Sequence, residues 1–136
     1  MKKICTFLFL LLMLSACSSN DSVDTGLDGT YSGTFTVVYT NGPTHTNTVT
    51  VNFLANTTYV CSGDGNIGEI YPAGGSGTFV VNGDKITFTD GNTWIANFDW
   101  NLILNGEYDF TQNGDNLTIS ADRAGIGSYS YTLEKQ

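Results

Sequence analysis

From Gly29 to the end of the chain, apolar and polar residues alternate with a period of two, which leaves little room for helix. Tyr31, Gly33, Phe35, Val37 and Tyr39 hold odd positions, while Ser32, Thr34, Thr36 and Thr40 hold even ones. That is the pattern of a strand with one buried face. The pattern recurs at Val49, Val51 and Phe53, at Phe79 and Val81, and at Ile86 and Phe88. It returns at Tyr108 and Phe110, at Leu117 and Ile119, and at Tyr129, Tyr131 and Leu133. Thr and aromatic residues dominate these runs, as a pleated surface prefers. Asn41-Gly42, Asn82-Gly83, Asp90-Gly91 and Asn113-Gly114 stand between them, and such pairs supply the positive φ that tight hairpins need. Asn105-Gly106 reads as a bulge inside one long strand rather than as a turn. Residues 92–100, with Trp94, Ile95, Phe98 and Trp100, fit either a short helix or an irregular strand lid. The expectation is an all-β domain of about eight antiparallel strands. Tight consecutive turns favour closure into an up-and-down barrel, which removes both edges; a β-sandwich is the alternative.

The first residues obey a different rule. Lys2 and Lys3 precede the short apolar stretch Phe7–Leu14, which suits a signal segment and falls short of the roughly 20 residues of a membrane span. Leu14-Ser15-Ala16-Cys17 resembles the bacterial lipobox, in which the Cys receives a diacylglycerol and becomes the new N-terminus. That resemblance implies a signal peptide over residues 1–16, lipidation of Cys17 and stable anchoring by two or three acyl chains. Residues 17–28 are small and polar and read as a flexible tether. Asp21 and Asp24 resemble the acidic export signals of surface lipoproteins of the Bacteroidetes, and Asp21-Ser22-Val23 fits the O-glycosylation sequon of that phylum at Ser22. The implied location is the cell envelope, on either face of the outer membrane.

Charge narrows the partners. The whole chain has 5 Lys and Arg against 13 Asp and Glu, and a net charge of −8. Past the leader only Lys85, Arg123 and Lys135 are basic, too few to neutralise phosphates or to form a polybasic membrane patch. With Cys5 in the leader and Cys17 lipidated, Cys61 is the one thiol left for the domain of residues 29–136. It has no partner for a disulfide, redox or zinc motif, and its strand-like surroundings make it a small buried hydrophobe. The domain is expected to be a monomer.

Gly29-Thr30-Tyr31 resembles the Gly-x-Trp opening of lipocalins with Tyr in place of Trp. The closing stretch from Tyr129 to Lys135 and the segment from Phe98 to Tyr108 are similar to the small lipocalin-like lipoproteins of the Bacteroidetes. The resemblance implies a calycin-like barrel exported on a lipid anchor.

Chemistry-bearing groups are sparse. His45 is the one His and would have to serve any nucleophilic triad alone. Asp99, Glu107 and Asp109 are the carboxylates available for glycoside hydrolysis, but Glu107 and Asp109 fall on the outward phase of their strand. Asp64, Asn66 and Glu69 superficially suit calcium without completing its loop pattern. Gly74-Gly75-Ser76-Gly77 lacks the Lys of a phosphate loop and reads as a flexible loop at a barrel mouth. The reading is therefore a non-catalytic protein with no cofactor and no metal. It holds a small apolar or aromatic ligand at the end near Gly63–Gly77, past Tyr59, Tyr71 and Phe79, or it is a protein–protein module such as an enzyme inhibitor or an accessory subunit of an outer-membrane complex. A hollow barrel favours the first; a filled barrel with an exposed aromatic patch favours the second.

Overall fold

The computed structural model describes residues 25–63, 71–95 and 98–136. Its strands are β1 (Gly29–Tyr39), β2 (Thr44–Leu54), β3 (Thr58–Gly63), β4 (Gly75–Asn82), β5 (Lys85–Asp90), β6 (Gly106–Asn113), β7 (Asn116–Arg123) and β8 (Gly127–Lys135). Each pairs antiparallel with the next, and β8 pairs back onto β1, so the sheet is a closed up-and-down barrel rather than a sandwich.

The inward phase is the aromatic one anticipated from the alternation. Tyr31, Phe35, Phe53, Phe79, Phe88, Tyr108, Tyr129 and Tyr131 are buried, and Tyr39 and Phe110 pack half-buried against them. The rings meet one another across the lumen. Tyr31 lies 5.5 Å from Phe53, Phe53 lies 5.1 Å from Phe79, Tyr59 lies 4.8 Å from Phe88, and Phe35 lies 4.8 Å from Tyr131, centroid to centroid. An eight-stranded barrel is about wide enough to be filled by its own side chains, and this one is filled by rings. Outward positions carry hydroxyls instead: Thr118, Thr132, Thr34 and Thr48 stand in one row across four strands.

Two glycines let strands approach more closely than any other residue allows. A Cβ on Gly33 would stand 2.0 Å from the Thr132 carbonyl oxygen, and one on Gly77 would stand 1.9 Å from that of Thr89.

The two ends differ. At the lower end, where β1 begins, the connections are 55–57, 83–84 and 114–115, and the fully buried Leu27 closes the opening. The turn from β2 to β3 puts Ala55 (φ 50°) and Asn56 (φ 56°) in the left-handed region, a hairpin with no Asn-Gly signal in its sequence. The upper end holds the long connections, 64–74 and 91–105.

Here the structure corrects one expectation. Asn105-Gly106 is not a bulge within a long strand: β6 begins at Gly106 (φ 89°), and Leu102–Leu104 belong to the connection before it. Asp90-Gly91 and Asn105-Gly106 are two feet of one loop, joined by the Asp90 N–H donating to Asn105 Oδ1 at 2.9 Å. Within the loop, residues 92–95 and 98–99 are irregular, and a single 3₁₀ turn spans Trp100–Leu102.

Candidate functional site

The loop 91–105 crosses the upper mouth and sends different side chains inward and outward. Inward, Leu102 and Leu104 join the core and plug the lumen, and Ile103 between them is buried where it bridges to Gly74. Their backbone is fastened on both sides. Ala73 N–H donates to Leu102 O (2.9 Å) and Leu104 N–H to Gly74 O (2.8 Å), which ties the plug to the connection between β3 and β4. From the lumen, Tyr59 Oη–H donates to Leu104 O at 2.5 Å and Tyr108 Oη–H to Ile103 O at 3.4 Å. Gly75 makes this junction fit, since a Cβ there would lie 3.3 Å from Leu104 O and 3.4 Å from Tyr59 Oη. Buried carbonyls need donors, and these tyrosines supply them.

A latch holds the crest of the loop. Asp99 caps the 3₁₀ turn by accepting from Asn101 N–H at 3.0 Å and from the Asn101 side chain at 2.8 Å. Its other oxygen accepts from Tyr39 Oη–H of β1 (3.0 Å) and Tyr129 Oη–H of β8 (2.5 Å). Burial pushes the Asp99 carboxyl up, but the combined donors outweigh it and hold the group below its ordinary value. Burial, and then the bond to Asp99, raises the Tyr39 and Tyr129 hydroxyls well above the tyrosine range. The carboxylate thus stays charged and the phenols stay protonated, the state that the latch requires.

A second carboxylate braces the loop's first foot. Asp90 accepts from Ser76 N–H (2.8 Å), from the Asn92 side chain (3.0 Å) and from Trp94 Nε1–H (2.6 Å).

Outward, the loop presents Ile95 and Trp100, beside half-buried Trp94 and Phe98, the latter packed against the core. Trp94 meets Phe98 edge to face at 5.9 Å, and Phe98 and Trp100 lie in planes 9° apart with centroids 6.1 Å apart. Trp100 is 57% exposed and Ile95 98% exposed. Asp99 is the one charged residue of 91–105, and it is spent on the latch.

Of the three residues expected to line a ligand path, Tyr59 and Phe79 share the wall made by β3 and β4 and both meet the Phe88 ring, at 4.8 Å and 6.2 Å, while Tyr71 lies in the connection before β4. Tyr59 is buried, with its hydroxyl held by Leu104. Phe79 is buried against Phe53, which pairs with Gly29 on one side and with Tyr59 on the other. Tyr71 is half-buried at the upper mouth, stacked on His45 at 4.0 Å and 7°, and its carbonyl accepts from the Asn47 side chain at 2.6 Å. Cys17, Ser22 and the residues Asp64, Asn66 and Glu69 lie outside the described residues. Gly74–Gly77 is no flexible loop, because Gly74 bridges to Ile103 and Gly75 opens β4. Cys61 is buried with its thiol pushed up to about 12 by desolvation, the inert hydrophobe expected.

Glu107 and Asp109 face outward, with Asp109 paired to Lys85 at 2.5 Å, and Asp99 is saturated by donors. Beside them, the paired part of β6 and β7 stops at Asp109 and Ser120, and a polar cleft of about 140 Å³ opens in the wall. The Arg123 guanidinium covers it, 5.0 Å from the Tyr108 ring centroid and 3.2 Å from Glu107 O. Among the described residues no group of three or more His, Cys, Asp or Glu is placed to hold a metal.

No protein-family model, curated protein or solved structure matches this chain.

The latch is hidden in the sequence because its members are far apart: Tyr39, Asp99 and Tyr129 come from β1, the lid loop and β8. One local signal exists. A lone Asp in the apolar run from Trp94 to Leu104 has to find donors if that run is to be buried.

Proposed function

We propose that this chain is a lipid-anchored, non-catalytic envelope protein that docks through the outer face of its lid loop. The observation that carries this reading is the division of labour within 91–105: Leu102 and Leu104 join the core and half-buried Phe98 packs against it, while Ile95 and Trp100 stand exposed. Scattered exposed apolar residues are ordinary, but an exposed Trp and an exposed Ile on one braced loop, with half-buried Trp94 and Phe98 beside them, are the composition of a contact surface. Bracing by Asp90 and Asp99 lowers the ordering cost of contact. Residue 25 enters at the lower end, so a tether from Cys17 leaves the lid end directed away from the anchoring bilayer. The lipobox resemblance supports the anchor, and the ring-filled lumen supports docking over a ligand held inside the barrel.

Two measurements on the full chain in its own envelopes test this. Wild type should fractionate with membranes and Cys17→Ser should be released; unchanged membrane association would sink the anchor. Ile95→Cys should react quickly with a sulfonated maleimide on purified protein and slowly in intact envelopes. Equal rates would mean that nothing covers the lid.

A further inference from the structure

We infer that the cleft in the β6–β7 wall binds a short zwitterionic peptide, of about dipeptide size, in extended form. The inference is independent of docking through the lid.

The cleft exists because a ladder stops early. Pairing of β6 with β7 ends at Asp109 and Ser120, so Gly106–Tyr108 and Ala121–Arg123 face each other unpaired. Both stretches are held from behind. Gly106 and Glu107 pair with Phe88 and Thr87 of β5, and Asp122 and Arg123 pair with Ser128 and Gly127 of β8. Backbone alternation aims main-chain groups into the cleft. Phe110 N–H donates to Asp84 O on the β5 side, so the N–H and C=O of Glu107, of the other phase, face β7. Asp115 O accepts from Lys135 N–H on the β8 side, so the N–H and C=O of Asp122 face β6. These are two short strand edges, and an extended peptide pairs with such edges through its own main chain. Because the ladders behind already fix them, little ordering is left for binding.

Charge names the ligand class. Two of the three basic residues past the leader, Lys85 and Arg123, line this one cleft together with Glu107, Asp109 and Asp122. Lys85 is taken by Asp109 at 2.5 Å. The Arg123 guanidinium lies over the Tyr108 ring and gives an N–H to Glu107 O, and among the described residues it is paired with no carboxylate. Its planar fork holds five donors and matches a carboxylate. A lone anion would meet three carboxylates here, and a lone cation would meet Lys85 and Arg123. An uncharged molecule would bury those charges without pairing them. A carboxylate for Arg123 and an ammonium for Glu107 and Asp122, on one ligand, answer both signs. Size sets the limit. The cleft holds about 140 Å³, and three extended residues span about 7 Å from first Cα to third. A peptide group between two termini fits that length and meets the strand edges.

The test is titration of the full chain carrying Cys17→Ser with alanyl-alanine, read by calorimetry and by backbone amide NMR shifts. One-to-one binding is expected, with the Glu107 and Asp122 amide signals among those that move most. Blocking either end, as alanyl-alanine amide or N-acetyl-alanyl-alanine, should weaken binding about tenfold or more, and so should free alanine, which lacks the peptide group. Arg123→Gln should weaken it about tenfold and Arg123→Lys by less, since Lys keeps the charge and loses the fork. Glu107→Gln with Asp122→Asn should weaken alanyl-alanine and leave N-acetyl-alanyl-alanine no weaker, a difference that lost folding would not produce. No heat and no shift in the Cys17→Ser chain up to about 10 mM ligand would overturn the proposal. So would equal binding of free and blocked peptide, alanine binding as tightly as alanyl-alanine, or shifts confined to residues away from the cleft.

Discussion

The lower and upper ends of this barrel solve the same closure problem by opposite means. Below, short connections and one buried residue, Leu27, suffice, and the ring contacts of Tyr31, Phe53 and Phe79 begin at once. Above, a long loop covers the mouth, and its stability comes from hydrogen bonds made to order: Asp99 to Tyr39 and Tyr129, and two plug carbonyls to Tyr59 and Tyr108. Packing at the lower end is non-directional and leaves nothing over. Hydrogen bonding at the upper end is directional, fixes a loop in one shape, and so frees that loop's other face for contact.

The contrast can be broken by substitution. Phe53→Ala removes a fully buried ring at the lower end and should cost about 3–5 kcal/mol, read as a lowered denaturant midpoint. If it costs less than Asp99→Asn, the lower end is not the packed half. Asp99→Asn keeps the shape of the latch but loses its charge and sets an amide donor against two phenols. Because the site is only partly enclosed, about 1–3 kcal/mol is expected. Its pH dependence sharpens the point. The folded carboxyl lies below its ordinary value of 3.8, so the latch contributes fully above that value and is lost as pH falls through the lower, folded one. Melting curves of wild type and Asp99→Asn should therefore differ by a constant amount above about pH 5 and converge in acid. A gap that persists in acid would mean the carboxylate's charge does not hold the lid.

Tyr131 gives the opposite sign. Its hydroxyl and that of Tyr31 are buried without a hydrogen-bond partner, although Tyr59 and Tyr108 nearby have theirs. Tyr131→Phe should leave stability unchanged or raise it by up to about 1 kcal/mol in a thermal melt. A clear loss would mean that the hydroxyl has a partner after all. At the small end of the scale, Ile95→Ser should move stability by no more than about 0.5 kcal/mol, since the side chain packs on nothing.

What is legible in the sequence follows the same division. Alternation records burial directly, so the strands, the inward rings and the buried Cys61 can be read from it, and closure follows from the tight turns. The β2 to β3 turn cannot, because Ala55, unlike Asn56, takes left-handed backbone under pressure from the strands it joins rather than from its own preference. The lid is least legible. Trp94, Ile95, Phe98 and Trp100 follow neither a period of two nor one of 3.6, because the loop's shape is set by partners on β1, β3, β6 and β8. For the same reason Asn105-Gly106, a strong local turn signal, reads as part of a strand that it only precedes. Alternation marks Phe79 as an inward residue, but it carries no record of the partners that hold the inward side chains, such as Phe53 against Phe79 or the Leu104 carbonyl on Tyr59.

The central claim is that the upper mouth is closed from within by the same loop that faces outward. Nuclear Overhauser contacts in the Cys17→Ser chain test it most directly. The account predicts cross-peaks from the methyl groups of Leu102 and Leu104 to the core rings, Tyr59 and Tyr108 foremost. Absence of those cross-peaks, together with fast solvent exchange at the amides of Ala73 and Leu104, would mean an open mouth and would contradict it.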